Sequence, residues 1–130
     1  MGAETRVLGQ DGFFFEHLTE TISLVTSAPE LDVYSASSMR EILVDLVDQG
    51  RYFLVVDLTG VVFFDSTGLG VLVGGVKRVR AHSGALALVA RSDEVFKQLR
   101  IKGLFKVFPT FPTVDRAVEF LGREALRAHG

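Results

Sequence analysis

The strongest constraint on the fold is the run "YFLVVDL" at residues 52–58. It is apolar at successive positions rather than at alternate ones, the pattern of a strand whose two faces are both covered, and so of an interior strand in a parallel sheet. A second run of this kind, "ALALVA" at 85–90, predicts another interior strand. Helical periods fill the intervals. Ser35 to Gly50 carries Met39, Ile42, Leu43, Leu46 and Val47 at three-and-four spacing, with Gly50 suited to the position after the helix end. A second helix is expected from about Thr67 to Ala81. A third follows Ser92 as its cap, with Asp93 and Glu94 complementing the positive N-terminus and Gly103 after its end. "KVFPTF" at 106–111 predicts a short last strand, and Thr113 caps a fourth helix in which Val114, Ala117, Val118 and Leu121 share one side. Ahead of all this, "FFFEHLTETISLVTS" reads as two antiparallel strands joined near Leu18 to Glu20. The alternation after that hairpin defines an α/β domain, a mainly parallel sheet with covering helices.

At 130 residues the chain fits one domain and one core. The net charge of −2 gives no basic footprint, which argues against direct binding to nucleic acid. With no cysteine there is no disulfide and no thiol nucleophile, and His17, His82 and His129 lack ligand spacing, so neither a metal nor a cofactor is expected. "MGAETRVLGQDG" has neither an apolar segment nor a basic lead, and "LGVLVGGV" at 69–76 is far too short to span a bilayer. The cytoplasm is therefore the expected compartment, with no membrane insertion. Residues 1–11 are expected to be loose, 12–122 to form the domain, and 123–130 to be a helix end or tail. The oligomeric state is left open.

Functional chemistry concentrates in "VVFFDSTGLGVL" at 61–72, where a strand gives way to a helix. Sites in open α/β sheets gather at such places. Either Asp65 or Ser66 serves as helix cap, accepting from an otherwise unpaired backbone N–H. Three enzyme templates fail here. Val73 stands where a dinucleotide fingerprint needs its third glycine, Val76 follows Gly75 where a phosphate-binding loop needs lysine, and Phe64 occupies the first glycine of a nucleophile elbow. A small hydrolase using Ser66 is the rival from a different class. Gly68, Gly70, Gly74 and Gly75 in the first half of a helix each cost roughly 0.5–1 kcal/mol relative to alanine. Close packing on the sheet compensates at some of them. A smooth surface for a second protein, with Leu69 and Val71 exposed on it, compensates at others.

"VVDLTGVVFFDSTGLGVLVGGVKRVRAHSGALALVA", with upstream "ELDVYSA" and downstream "LRIKGLFKVFPTFPTVDRAV", resembles the STAS-domain anti-sigma factor antagonists of bacteria, over about residues 20–121. The resemblance implies a STAS domain with four main helices that is a substrate and ligand, not an enzyme. In that family the serine of the D-S-T/S-G-L-G hexapeptide is phosphorylated by an anti-sigma factor that is also an ATP-dependent serine kinase. The unmodified antagonist binds that partner, the phosphorylated form lets go, and a metal-dependent serine phosphatase restores it. The phosphoacceptor implied here is Ser66. Asp65, Thr67, Gly68, Leu69, Gly70 and Val71, with Glu30 and Asp32 of the family's G-E-L/I-D element, are the implied partner-binding residues. Pro29 departs from the family glycine before that acid and supplies no N–H, which predicts an altered turn toward Asp32. A capping role for Asp32 stands beside recognition. Pro29 also keeps open a STAS module of another kind, a signalling scaffold or an accessory part of a membrane transport system.

Overall fold

A computed structural model describes residues 6–8 and 11–129. The main sheet has six strands: β1 (Arg6–Leu8), β2 (Phe14–His17), β3 (Ile22–Thr26), β5 (Phe53–Asp57), β7 (Ala85–Val89) and β8 (Thr110–Phe111), in that spatial order. β1, β2 and β3 pair antiparallel, and β3, β5, β7 and β8 pair parallel. Four helices complete the chain: α1 (Ala36–Asp48), α2 (Ser66–Arg80), α3 (Asp93–Ile101) and α4 (Val114–His129). Two further strands, β4 (Glu30–Leu31) and β6 (Phe63–Phe64), make a separate parallel pair. Within the segment 1–11 expected to be loose, residues 1–5, 9 and 10 lie outside the described residues and Arg6–Leu8 is β1. Residues 123–129 continue α4.

The central strand behaves as its composition requires. Leu54 and Val56 enter the apolar cluster beneath α1 and α2, whereas Phe53 and Val55 enter a second cluster closed by Ala117, Leu121 and Ala125 of α4. Both faces of β5 are thereby buried, and burying each such side chain contributes about 1.5–3 kcal/mol. Helix ends follow local chemistry. Gly50 and Gly103 adopt positive φ after α1 and α3, and the hydroxyls of Ser92 and Thr113 accept from Val95 N and Arg116 N. The last strand is shorter than "KVFPTF" suggests. Residues 104–107 turn, Phe108 drives into the core fully buried, and only Thr110 and Phe111 pair with β7.

Arg51 stitches the opening hairpin to this core. Its guanidinium donates to the carbonyls of Thr19, Glu20 and Ile22, and its Nε donates to the buried Ser23 hydroxyl at 2.8 Å. Ser23 Oγ lies 2.9 Å from His17 Nδ1. The Ser23 hydroxyl accepts from Arg51 and also bonds His17 Nδ1, either ring tautomer satisfying that second bond. Lost hydration first, and then the nearby guanidinium, hold His17 below the usual histidine range. The folded chain therefore binds fewer protons than the unfolded one as pH falls below about 6.5, and stability drops with it. Thermal unfolding from pH 7 to pH 5 is expected to show a larger loss of Tm for the native chain than for His17→Gln, whose amide can bond the Ser23 hydroxyl without titrating.

Candidate functional site

The site is built where β4 and β6 bring two distant loops together. Glu30 pairs with Phe63 and Leu31 with Phe64. The Pro29 carbonyl accepts from Val62 N at 2.7 Å and Phe63 N at 3.3 Å, and the Leu31 carbonyl accepts from Asp65 N at 3.3 Å. The contact uses the carbonyl of Pro29, not the amide that proline lacks. Gly68 then sits directly against Leu31: a Cβ on Gly68 would lie 2.5 Å from the Leu31 carbonyl oxygen and 2.8 Å from its side chain. Close approach is thus the reason for glycine here. The same holds for Gly75, where a Cβ would press on Leu43 and Leu86, but not for Gly70, which faces open space.

Asp65 is the cap of α2. Its Oδ1 accepts from Thr67 N at 2.9 Å and Gly68 N at 3.0 Å, and its Oδ2 accepts from Val33 N at 3.2 Å. One carboxylate therefore closes the helix N-terminus and ties it to the loop between β4 and α1. Ser66 is the first residue of the helix proper, exposed, and its hydroxyl has no hydrogen-bond partner among the described residues. Capping and presentation fall to different residues.

Asp32 is 8% exposed and works inside its own loop. Its Oδ1 accepts from Tyr34 N at 2.9 Å, Ser35 N at 3.1 Å and Ser35 Oγ at 3.3 Å, and its backbone carbonyl accepts from Ala36 N. Asp32 thus orders the turn ahead of α1 rather than capping it with its side chain, since the N-cap is Ser35, which makes no side-chain capping bond. Glu30 is exposed beside it, and a cavity of about 460 Å³ opens next to both, lined also by Asp11, Pro29 and Tyr34.

The implied partner-binding residues divide by exposure. Glu30, Thr67 and Gly70 reach solvent, and Val71 is half-buried against the core. Leu69 corrects the expectation of exposure: it is 4% exposed, because the turn set by Asp65 points it at the same cluster as Leu31 and Phe64. Gly68 is likewise buried. Four exposed residues were absent from the sequence expectation, namely Val33, Tyr34, Val62 and Phe63. Their signal is faint but real: "VY" falls before the helical period of α1 begins, and "VVFF" is too short for a strand buried on both faces. The hydrolase arrangement does not assemble among the described side chains. His17 is bonded to Ser23, and His82 stacks on Tyr52 with ring centroids 4.3 Å apart.

The α/β domain thus places an exposed serine hydroxyl at the head of a glycine-rich helix, with a separate aspartate as cap. The model of the STAS domain family matches residues 17–117, and the chain belongs to that family. It is 45% identical over 80 residues to the anti-sigma-B factor antagonist of Bacillus subtilis, covering 62% of this chain and 72% of that one. Among solved structures, an anti-sigma factor antagonist from Mycobacterium paratuberculosis superposes with a TM-score of 0.72 at 27% identity, covering 82% of this chain and 93% of that one. The Bacillus cell fate determinant SpoIIAA in its phosphorylated form shares the fold at a TM-score of 0.68 and 22% identity, over 82% of this chain and 96% of that one. No described helix is long and apolar enough to cross a membrane.

Two substitutions test the local physics. Asp65→Ala is expected to lower stability by about 1–2 kcal/mol in urea denaturation, the upper range of a lost cap, with Asp65→Asn milder because an amide oxygen still accepts. Gly68→Ala is expected to destabilise by about 1–3 kcal/mol despite the better helix propensity of alanine, because the backbone of Leu31 must move.

Proposed function

We propose that this chain is an anti-sigma factor antagonist switched by phosphorylation of Ser66. Unmodified, it binds an anti-sigma factor that is also an ATP-dependent serine kinase, and so frees a sigma factor for transcription. Phosphorylated, it is released, and a metal-dependent serine phosphatase returns it to the binding form. ATP and its metal ion belong to the kinase, and this chain acts as ligand and substrate in the cytoplasm. The observation that carries the reading is the exposed Ser66 hydroxyl, without a hydrogen bond among the described residues, beside an aspartate that already caps the helix. The names of the curated relatives support the same role.

In the transfer, Ser66 Oγ forms a bond to the γ-phosphorus as the bond from that phosphorus to the leaving ADP oxygen breaks, and the hydroxyl proton passes to a base of the kinase. The product carries about −1.5 to −2 charge at a helix N-terminus, where the dipole favours an anion by about 0.3–1 kcal/mol, so the fold tolerates it. A docked partner does not. A partner carboxylate about 7 Å away at an effective dielectric near 20 contributes on the order of 2 kcal/mol of repulsion per charge pair, and each 1.4 kcal/mol is about tenfold in affinity.

Incubation with candidate anti-sigma kinases and ATP, followed by mass mapping, is expected to place one phosphate on Ser66 and none on Ser66→Ala. Ser66→Asp is expected to weaken kinase binding by about tenfold or more while its unfolding free energy stays within about 0.5 kcal/mol of the native chain. Phosphate confined to another residue, or a large loss of stability, would reject the switch.

A further inference from the structure

Residues 95–114 carry four of the chain's 14 basic residues, Lys97, Arg100, Lys102 and Lys106, and none of its 16 acidic ones. All four are exposed, and none has an ion-pair partner among the described residues. Two large apolar side chains stand among them, Ile101 at 64% exposure and Phe105 at 44%. The end of α3 sets them there. Gly103 turns the chain at positive φ, its N–H donates to the Arg100 carbonyl at 3.1 Å, and Leu104 N donates to the Leu99 carbonyl at 2.9 Å. That closure folds Leu104 back onto the core and leaves Ile101 and Phe105 outside. Phe105 is steadied by the ring of Phe96, whose centroid lies 6.2 Å away. Arg100 and Lys102 complement the negative end of the helix, but that effect falls off within the last turn. It accounts for neither Lys97 nor Lys106, and it does not call for an exposed apolar pair.

We infer that this end of α3 is a docking surface for an anionic lipid bilayer, its cations meeting phosphate headgroups while Ile101 and Phe105 enter the interface between them. Two features choose lipid over an acidic protein. Three of the four cations are lysine, which protein interfaces disfavour, and the apolar side chains are interleaved with the charges instead of gathered into an uncharged centre. Long cationic stems beside an aromatic ring and an aliphatic chain match the boundary between headgroups and acyl chains. The net charge of −2 does not oppose this. Asp93 and Glu94 lie at the other end of α3, about 10–12 Å from Ile101 by helical rise, and charge is screened over about 8 Å at physiological salt. Each cation near an anionic surface contributes about fivefold in partition, so the four give on the order of several hundredfold, a reversible and salt-dependent attachment. Val107, just beyond the patch, lines a cavity with Arg80 and Gly84, which puts this surface beside the C-terminus of α2. Ser66 is at the opposite end of that 15-residue helix, about 21 Å away. A chain held by this surface therefore keeps Ser66 clear of the lipid, and the inference stands apart from the reading of Ser66.

The test is sedimentation of the full chain with lipid vesicles. The native chain is expected to bind phosphatidylglycerol vesicles at low salt, to be released at high salt, and to leave phosphatidylcholine vesicles unbound. Lys102→Glu and Lys106→Glu are each expected to lower the partition coefficient by about fivefold or more. Arg40→Glu makes the same change of charge at an exposed position on α1 and is expected to bind as the native chain does. Ile101→Ser is expected to weaken binding by about threefold or more with no change in Tm. Ser66→Asp should bind vesicles as the native chain does.

A native chain that does not bind phosphatidylglycerol vesicles, or whose binding is indifferent to both lysine variants, would overturn the inference and leave the Ser66 switch standing. Equal binding to phosphatidylcholine would overturn the part assigned to the cations. Binding to polyglutamate or to DNA in place of vesicles, lost in Lys102→Glu, would assign the surface to an acidic protein or to nucleic acid, each overturning the inference. Vesicle binding lost in Ser66→Asp would overturn the separation of the two ends.

Discussion

The functional end of this molecule depends on one carboxylate. Asp65 accepts three backbone N–H groups with its two oxygens, two from the first turn of α2 and one from the loop before α1. Unpaired helix N-termini and irregular loops both leave donors that need partners, and a single side chain meets both needs. The two segments are 32 residues apart in sequence, yet the geometry of one fixes that of the other. β4 and β6, two residues each, are too short to persist alone, and the Asp65 bridge and the Gly68 contact beneath them hold the pair in register.

Closeness of backbone is the second requirement. α2 approaches the sheet and β4 because Gly68 and Gly75 present no side chain where Leu31, Leu43 and Leu86 stand. The helix formation lost to glycine is offset by apolar contact on a face that also buries Leu69, Leu72, Val76 and Val79. On the solvent side Gly70 leaves the first turn smooth, so the Ser66 hydroxyl is not screened by a bulky neighbour.

Much of this was legible in the sequence, for identifiable reasons. The buried strands and the four helices are recorded in local apolar period and in short-range caps such as Ser92 and Thr113, which need no knowledge of distant contacts. The position of Ser66 was legible because its motif is contiguous. The pairing of β4 with β6 was not, since two-residue strands carry no period, and without it the exposure of Val33, Tyr34, Val62 and Phe63 cannot be deduced. Leu69 was misjudged for a related reason: a helix's inward face is fixed by where its first turn is anchored, and that anchor is the tertiary contact of Asp65. Arg51 likewise gives no local sign that it spans back to the carbonyls of Thr19 and Ile22.

Placing the cap on Asp65 rather than on Ser66 has a consequence for how long the protein lasts. Cellular proteases act on the small fraction of chains that is unfolded at any moment, and that fraction follows the folding free energy. On the proposed reading of Ser66, a hydroxyl that holds no structural bond takes its phosphate with little change in that fraction, so both forms are turned over at nearly one pace. The enzymes that write and erase the mark then govern how long a signal endures.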